Sequence, residues 1–347
     1  MEETNSSNYC QFPSQFRYDP VSQDWVIVAV GRGKRPEAFK SNRPKILVPP
    51  QNCVFCSHKS EDPRKLAMVN GKVCKGRDLP PDWTLIVIPN KFPAFCPAEK
   101  IEKIKIGKFY QIMTAVGFCE VIITRGHDNH IFQMEVAQAK ELIDAYQLRY
   151  LALEKEKFVN FISVFHNYGP EAGASQPHPH SQIITSPFVD ADFTRSLVMA
   201  KRYKAKNKKC VYCEMNKWEM KEKNRIVFEN DHFLAICPFA SKTAFETIIS
   251  PKKHFSRFEE ISEEMKWSLA EAFRTVLGKI KNGLNDPSFN YYLHTSPADG
   301  KLHPYYHWHW TIFPRIGIQA GFEIGTKMEI STIEPEAAAD YLRNQNA

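Results

Sequence analysis

The chain has 347 residues, 43% hydrophobic and 24% charged, a composition typical of a globular protein that buries a core. No apolar run reaches the about 18 residues of a membrane-spanning helix, and the polar start, MEETNSSNYCQF, lacks the regions of a secretory signal. A formal net charge of +7 is weak evidence over this length. These features predict a cytoplasmic protein with no membrane partner.

Short segments rich in β-branched and aromatic residues predict strands, and two amphipathic stretches predict helices. One helical stripe runs from Val136 to Leu153; the other runs from Met265 to Ile280, with Ser262 as its N-cap. Because the strands come in clusters and do not alternate with helices, we expect an α+β fold with a mostly antiparallel sheet. The strand segments are WVIVAV (25–30), TLIVIP (84–89), EVIIT (120–124), NFISVF (160–165), QIITS (182–186), FLAIC (233–237), ETIIS (246–250), NYYLH (290–294) and WHWTIF (308–313).

The same series of motifs occurs twice. CVFC at 53–56 is echoed by CVYC at 210–213, and HPHSQII at 178–184 is echoed by HWHWTIF at 307–313. Between the two motifs, each series has a β-branched run with a trailing histidine, then a helix. An internal repeat of this kind predicts two related structural units.

The repeat predicts a division into two halves, residues 1–195 and 196–347. We expect a linker between them near 190–208. The basic run at 200–210 in this region could indicate a nucleic-acid partner. A solvated linker explains it better, because the run lacks the interleaved aromatic residues of RNA-binding modules.

Cysteines two residues apart are natural ligands for tetrahedral zinc. A single C-x-x-C pair in a cytoplasmic protein is ambiguous between zinc and redox chemistry, but two pairs followed by histidines in the same order favour zinc. The prediction is two closed, structural Cys₂His₂ sites. His130 is preferred as a ligand of the first site, with His127 as the alternative. The two sets are Cys53, Cys56, His130 and His178, and Cys210, Cys213, His254 and His307.

If His178 binds a metal, His180 remains on the same side of the predicted strand, together with Gln182. A neutral imidazole whose other nitrogen is held by a carbonyl can act as a nucleophile. Gln182 can donate a hydrogen bond to a phosphoryl oxygen without carrying charge. Gly169 and Gly173 precede these residues and allow backbone N–H groups to approach an anion. A buried core histidine is the more common role for a lone His, but this combination favours catalysis.

The segment NYGPEAGASQPHPHSQ (167–182) resembles the active-site segment of galactose-1-phosphate uridylyltransferases, a branch of the histidine-triad superfamily. The similarity extends over nearly the whole chain, because blocks at 16–36, 87–95, 320–326 and 335–343 also resemble family blocks. The resemblance implies two histidine-triad-like halves that share one sheet. It also implies a homodimer that acts on a nucleotide sugar and a sugar 1-phosphate.

The resemblance also implies roles for individual residues. His180 would form a nucleotidyl-histidine, and Gln182 would steady the phosphoryl oxygens. Galactose 1-phosphate and UDP-glucose are the expected substrates. The residues expected to bind the nucleotide and its phosphates are Arg32, Arg35, Asn90, Asn167, Gly173 and Ser175.

Two features favour a different member of this group. Many uridylyltransferases have glycine at the position of Ser181, whereas the related ADP-glucose phosphorylase of plants has serine there. The second cysteine pair, which suggests a second zinc site, also resembles a feature of that enzyme. An adenylyltransferase of this type is therefore the alternative. A non-catalytic, zinc-stabilised nucleic-acid-binding protein is a third hypothesis, but it leaves His180 and Gln182 unexplained. His309, the counterpart of His180, lacks a following glutamine and predicts a second half without catalysis.

Overall fold

The structure is a computed structural model that describes residues 14–29, 48–57, 63–75 and 78–347. Within these ranges it contains sixteen strands and six α-helices. The strands are β1 (Gln15–Tyr18), β2 (Trp25–Val28), β3 (Leu66–Val69), β4 (Lys72–Val73), β5 (Leu85–Pro89), β6 (Lys103–Ile106), β7 (Tyr110–Met113), β8 (Cys119–Thr124), β9 (Phe161–Tyr168), β10 (His180–Ser186), β11 (Ile226–Glu229), β12 (Phe233–Ile236), β13 (Thr247–Pro251), β14 (Phe289–His294), β15 (His309–Pro314) and β16 (Ile330–Ser331). The helices are α1 (Val136–Leu153), α2 (Ala191–Asn207), α3 (Val211–Glu222), α4 (Glu263–Gly283), α5 (Gly321–Thr326) and α6 (Pro335–Arg343).

One eleven-stranded sheet organises the described residues, in the order β11-β12-β13-β15-β14-β9-β10-β8-β5-β3-β4. All of its strand pairs are antiparallel. The two sequence repeats occupy opposite ends of the sheet and meet where β9 pairs with β14, with Asn167 opposite Asn290. The predicted α+β class with a mostly antiparallel sheet shared by two halves is confirmed.

Helices α1 and α4 cover one face of this sheet and build the main core. Tyr146 of α1 and Phe273 of α4 are fully buried against residues such as Tyr291 and Trp310 of the central strands. Burying one large apolar side chain contributes roughly 1.5–3 kcal/mol. The opposite face of the central strands is thereby left available for the motif residues.

The predicted helices agree with the structure in position and capping. Helix α1 spans Val136–Leu153, as the apolar stripe indicated. Helix α4 begins after Ser262, whose hydroxyl accepts a hydrogen bond from the Met265 N–H at 3.3 Å. This cap satisfies one of the four N–H groups that a helix start leaves without partners.

The segment 190–208, expected to be the linker between the halves, forms helix α2. Asp190 caps it by accepting a hydrogen bond from the Phe193 N–H. Phe193, Leu197 and Ala200 are buried at helical spacing, while the lysines of the basic run lie mostly on the solvated side. In the described residues, no helix is long and apolar enough to cross a membrane.

Candidate functional site

His180 is the first residue of β10 and only 8% exposed. Its Nδ1 donates a hydrogen bond to the His178 carbonyl oxygen at 2.8 Å. Since a carbonyl only accepts, this bond places the proton of the neutral ring on Nδ1 and leaves the lone pair on Nε2. Burial lowers the pKa of His180, against the opposing effect of the backbone hydrogen bond. The ring is therefore a neutral imidazole with its lone pair on Nε2, which is the form that the predicted nucleophile requires.

The pairing of β10 with β9 determines which side chains accompany His180. Ser181 lies opposite His166, and both face the core, where the Ser181 hydroxyl is 3.1 Å from His166 Nδ1. Successive residues of a strand point to opposite faces. His180, Gln182 and Asn167 therefore share the other face. We call this face of β9, β10, β14 and β15 the site face.

The loop between β9 and β10 has two glycines with positive φ. Gly169 has φ of 80° and Gly173 has φ of 82°. A Cβ on Gly169 would lie 2.1 Å from the Ser288 hydroxyl oxygen, so the loop also needs glycine there for close packing. Ser175 is exposed at the end of this loop. Three of its N–H groups, those of Ala172, Gly173 and Ala174, donate to carbonyls within the loop, and the Ser175 hydroxyl lies at the approach to β10.

Asn90, which was predicted to bind the nucleotide, lies directly after β5. The Asn90 backbone N–H donates to the Cys119 carbonyl, and its side-chain oxygen accepts from the Phe92 N–H, so Asn90 forms a turn after β5. Arg32 and Arg35 lie outside the described residues.

The first cysteine pair meets two histidines in one cluster, and one of them differs from the prediction. The cluster contains His127 and not His130, and its ligand atoms lie within 4.8 Å of one another. Cys56 Sγ is 3.2 Å from His127 Nδ1 and 3.4 Å from His178 Nδ1. The preferred ligand set is therefore corrected to Cys53, Cys56, His127 and His178.

The reason for this correction is the course of the chain after β8. The His127 Nε2 bonds to the Val48 carbonyl oxygen at 2.7 Å, which turns Nδ1 towards the sulfur atoms. The His130 ring instead stacks on Phe132, with centroids 5.4 Å apart, and meets the edge of Tyr168 at 4.6 Å. Counting residues in the repeat could not distinguish two histidines separated by three positions in a loop.

The second cluster agrees with the prediction in all four residues: Cys210, Cys213, His254 and His307. Cys213 Sγ is 3.3 Å from His254 Nδ1 and 3.4 Å from His307 Nδ1. Hydrogen bonding from Cys213 is the largest influence that lowers the pKa of Cys210, with both histidines adding to it. This direction favours the thiolate, which is the form of cysteine that binds a metal.

All four clustered histidines are oriented in the same way. Each Nε2 bonds to a backbone carbonyl, and each Nδ1 faces sulfur. The carbonyls belong to Val48, Thr124, Pro304 and Pro251 for His127, His178, His254 and His307, respectively. Outer hydrogen bonds of this kind set the tautomer of histidines that bind metals. The donor sets, four N or S atoms each, fit tetrahedral zinc with no open position.

Comparison with known proteins identifies the relatives of this chain. Family models described as the N-terminal and C-terminal domains of galactose-1-phosphate uridyl transferase match residues 6–190 and 197–344. The chain belongs to the galactose-1-phosphate uridylyltransferase family. It is 33% identical to an ADP-glucose phosphorylase of Arabidopsis thaliana, over 95% of this chain and 92% of that one. It is 29% identical to a galactose-1-phosphate uridylyltransferase of Thermotoga maritima, over 95% and 98%.

Solved structures support the same relationship. The structure of an ADP-glucose phosphorylase from Arabidopsis thaliana with bound ADP-glucose superposes with a TM-score of 0.78 at 29% identity. It covers 96% of this chain and 99% of that one. A uridylyltransferase structure superposes with a TM-score of 0.72 at 25% identity, covering 95% and 97%. The chain is a nucleotidyltransferase of the uridylyltransferase family.

The second half carries a counterpart of His180, His309, whose Nε2 is hydrogen-bonded to another histidine. His309 Nδ1 bonds to the His307 carbonyl at 3.2 Å, as in the first half, but its Nε2 is 3.1 Å from His294 Nδ1. Burial lowers the pKa of His309 to about 4. The Nε2 of His309 is thus already hydrogen-bonded to another ring, and a second half without catalysis stays a prediction.

The sequence analysis missed two features of the site, an aromatic residue in each cysteine motif and the partner of Asn167. Phe55 lies over the His180 ring at 5.0 Å, and Tyr212 lies over His309 at 5.7 Å. Their shared place, third in each C-V-[FY]-C motif, was visible in the repeat and indicated a common role. Asn290, which donates to the Asn167 side chain at 2.8 Å, has no such motif, and only strand pairing identifies it.

Proposed function

We propose that this chain transfers a nucleoside monophosphate from a nucleoside diphosphate hexose through a covalent intermediate on His180. The observation that carries this proposal is the Nδ1 bond of His180 to the His178 carbonyl, which leaves the Nε2 lone pair for attack. The glycine loop and Gln182 lie on the same side of the sheet and suit a phosphate ligand.

In the first step, His180 Nε2 attacks the α-phosphorus and forms an N–P bond. The bond from this phosphorus to the bridging oxygen breaks, and the electron pair leaves with the sugar 1-phosphate. Gln182 donates its amide N–H to a non-bridging oxygen, and the exposed Ser175 hydroxyl at the end of the glycine loop is a further donor. In the second step, a phosphate oxygen of the acceptor attacks the nucleotidyl-histidine and releases neutral His180. The kinetics are therefore ping-pong.

ADP-glucose is the donor we propose, with inorganic phosphate as the acceptor. Support comes from the Arabidopsis thaliana ADP-glucose phosphorylase, at 33% identity over nearly the whole chain, and from the structural match to such an enzyme with bound ADP-glucose. Ser181 and the second cysteine pair are features that the sequence comparison already associated with this enzyme type.

The second candidate is the reaction expected from the sequence, from UDP-glucose to galactose 1-phosphate. It is favoured by the uridyl transferase family models, which cover both halves, and by the relative from Thermotoga maritima. The chemistry at His180 is the same in both reactions. Only the base and the acceptor differ.

The test is intact-protein mass spectrometry after incubation with one donor and no acceptor. ADP-glucose should add one AMP group, and His180→Ala should abolish the adduct, whereas His309→Ala should retain it. UDP-glucose, GDP-mannose and dTDP-glucose complete the panel. Preferential labelling by UDP-glucose would transfer the proposal to the second candidate. An adduct that persists in His180→Ala would contradict the assigned nucleophile.

We propose that both cysteine–histidine clusters bind structural zinc. When bound, the ions would cross-link distant parts of the chain and contribute folding free energy. In the first cluster, residues 53–56 before β3 are joined to the turn after β8 and to His178 before β10. Zinc at this cluster would therefore hold the approach to His180. None of the described cysteines forms a disulfide, which fits our proposal of the reducing cytoplasm as the compartment.

We propose a homodimer and assign the hairpin β6–β7 to its interface. Cross-strand pairs Ile104–Ile112 and Ile106–Tyr110 form an apolar side, while lysines occupy the other side. These four side chains are between 49% and 72% exposed. An isolated hairpin is marginally stable in water, so an apolar side of this size favours a second copy of the chain as its partner.

A further inference from the structure

Arg315 lies at the end of a row of polar side chains that starts at His180. On the site face, Asn167 of β9 neighbours His180 of β10, and Asn290 of β14 lies opposite Asn167. Phe313 of β15 lies opposite Asn290, and Arg315 follows with the same orientation, two residues later. Its backbone N–H donates to the Ser288 carbonyl at 2.7 Å, which continues the pairing beyond β15.

The side chains of this row are joined by hydrogen bonds in one direction. Arg315 Nε donates to the Asn290 side-chain oxygen at 2.6 Å, and Asn290 Nδ2 donates to the Asn167 side-chain oxygen at 2.8 Å. Asn290 Nδ2 also donates to the Ala172 carbonyl of the glycine loop at 2.8 Å. Asn167 Nδ2 is then directed to the loop, 4.0 Å from the Cβ position of Gly173. Arg315 thus supports the loop that precedes His180.

The rest of the Arg315 side chain is available for a ligand. The residue is exposed, and its guanidinium carbon lies 4.9 Å from the Phe313 ring centre. Among the described residues, only Asn290 accepts a hydrogen bond from this guanidinium, through Nε. The terminal nitrogens are the pair that binds phosphate in bidentate fashion.

The four strands of the site face contribute no other cation. The side chains of β9, β10, β14 and β15 on this face include no Lys, Arg, Asp or Glu. The carboxylate of Glu171, in the loop, is hydrogen-bonded to the Ser288 hydroxyl. Among the described residues of this row, Arg315 therefore carries the positive charge that would offset a phosphate dianion bound beside this face.

We propose that Arg315 binds the phosphate that leaves with the sugar and, in the second step, the phosphate of the acceptor. This inference rests on the proposed function and adds the residue of the second half that recognises the acceptor. Two strand spacings put Asn290 about 10 Å from His180 along the row. That separation suits a ligand whose α-phosphate contacts His180 while its next phosphate contacts the guanidinium beside Asn290. Arg315 then offsets the charge that develops on the leaving oxygen.

The test separates the two half-reactions. Wild type and each variant are first labelled with ADP-glucose or UDP-glucose. The isolated nucleotidyl protein is then mixed with increasing concentrations of inorganic phosphate or glucose 1-phosphate, and the loss of the adduct is measured. For Arg315→Gln, the acceptor concentration for half-maximal loss of the adduct should rise about 10- to 100-fold, as expected for losing a charged hydrogen bond. Arg315→Lys, which keeps the charge but not the fork, should fall between the two. Arg202→Gln, an exposed arginine on α2, is the matched control.

A purely structural role predicts different results. If Arg315 only held Asn290, Arg315→Gln would lower the maximal rate without changing the acceptor concentration for half-maximal reaction, and Arg315→Lys would not recover it. That result, or an equal effect of Arg202→Gln, would overturn the inference. Calorimetric titration of glucose 1-phosphate into unlabelled protein gives a readout without transfer. Equal affinities of wild type and Arg315→Gln would overturn the inference, whether or not a donor labels the chain. A failure of every donor to label the chain would, by itself, contradict only the proposed function.

Discussion

Replacing Ser181 by alanine should destabilise the protein. Ser181 follows the proposed nucleophile, His180, in β10 and faces the core. The Ser181 hydroxyl is buried and lies 2.6 Å from the Tyr146 hydroxyl and 3.1 Å from His166 Nδ1. Tyr146 also contacts the Tyr291 hydroxyl at 2.9 Å, so the network joins α1 of the first half to β14 of the second. Burial lowers the pKa of His166 well below its ordinary value, which makes this a network of neutral groups.

The magnitude follows from which groups lose their partners. In Ser181→Ala, Tyr146 keeps Tyr291, but His166 Nδ1 loses the hydroxyl. A buried polar group without a partner costs about 1–3 kcal/mol. We therefore expect the free energy of unfolding to fall by about 2 kcal/mol, which for a chain of this length lowers the thermal midpoint by about 2–4 °C. Ser181→Gly should lose roughly 0.5–1 kcal/mol more, because glycine weakens a strand interior.

Differential scanning calorimetry of wild type, Ser181→Ala and Ser181→Gly measures this effect. Ser196→Ala is the control, since Ser196 lies on α2 and its hydroxyl donates only to the Asp192 carbonyl at the surface. The control should change the free energy by less than about 0.5 kcal/mol. If Ser181→Ala melted together with the control, the hydroxyl network would not stabilise the junction of the halves.

Three further outcomes follow from the site and the surface. Metal analysis of protein never exposed to chelator should find about two zinc ions per chain. Cys210→Ser should bind one zinc ion fewer and unfold at a lower temperature. Retention of both zinc ions by Cys210→Ser would contradict the second site. His309→Ala should form the nucleotide adduct at the wild-type rate, since His180 lies in the other half, and a rate at least tenfold lower would place chemistry in the second half. Ile104→Glu should shift sedimentation from dimer to monomer if β6–β7 is the interface, with Lys105→Glu on the opposite side as a control that remains dimeric.

Much of the fold could be predicted because it depends on local patterns. The apolar stripe of α1 and the Ser262 cap of α4 are properties of a few successive turns, and both agree with the structure. The helix within the segment 190–208 was missed because lysines dominate the composition of this segment. Its buried residues, Phe193 and Leu197, are one turn apart and were sufficient to indicate a helix.

The sequence by itself determined the repeat and the two cysteine pairs and predicted the nucleophile, because each depends on residue types at short spacing. His178, His180 and Gln182 lie within five residues of one strand start, so their relation needs no long-range contact. The tertiary structure alone decided between His127 and His130, because a hydrogen bond to Val48, some eighty residues away, turns the ring.

The same is true of the supporting residues of the site. Asn290 and Arg315 are far from His180 in the chain and carry no motif. They reach its row only because β14 pairs with β9 in one particular register, in which Asn290 lies opposite Asn167. A shift of one residue would turn both side chains to the helical core. Register in a sheet is set by the packing of all its strands together, which is why these partners could be identified only in the folded chain.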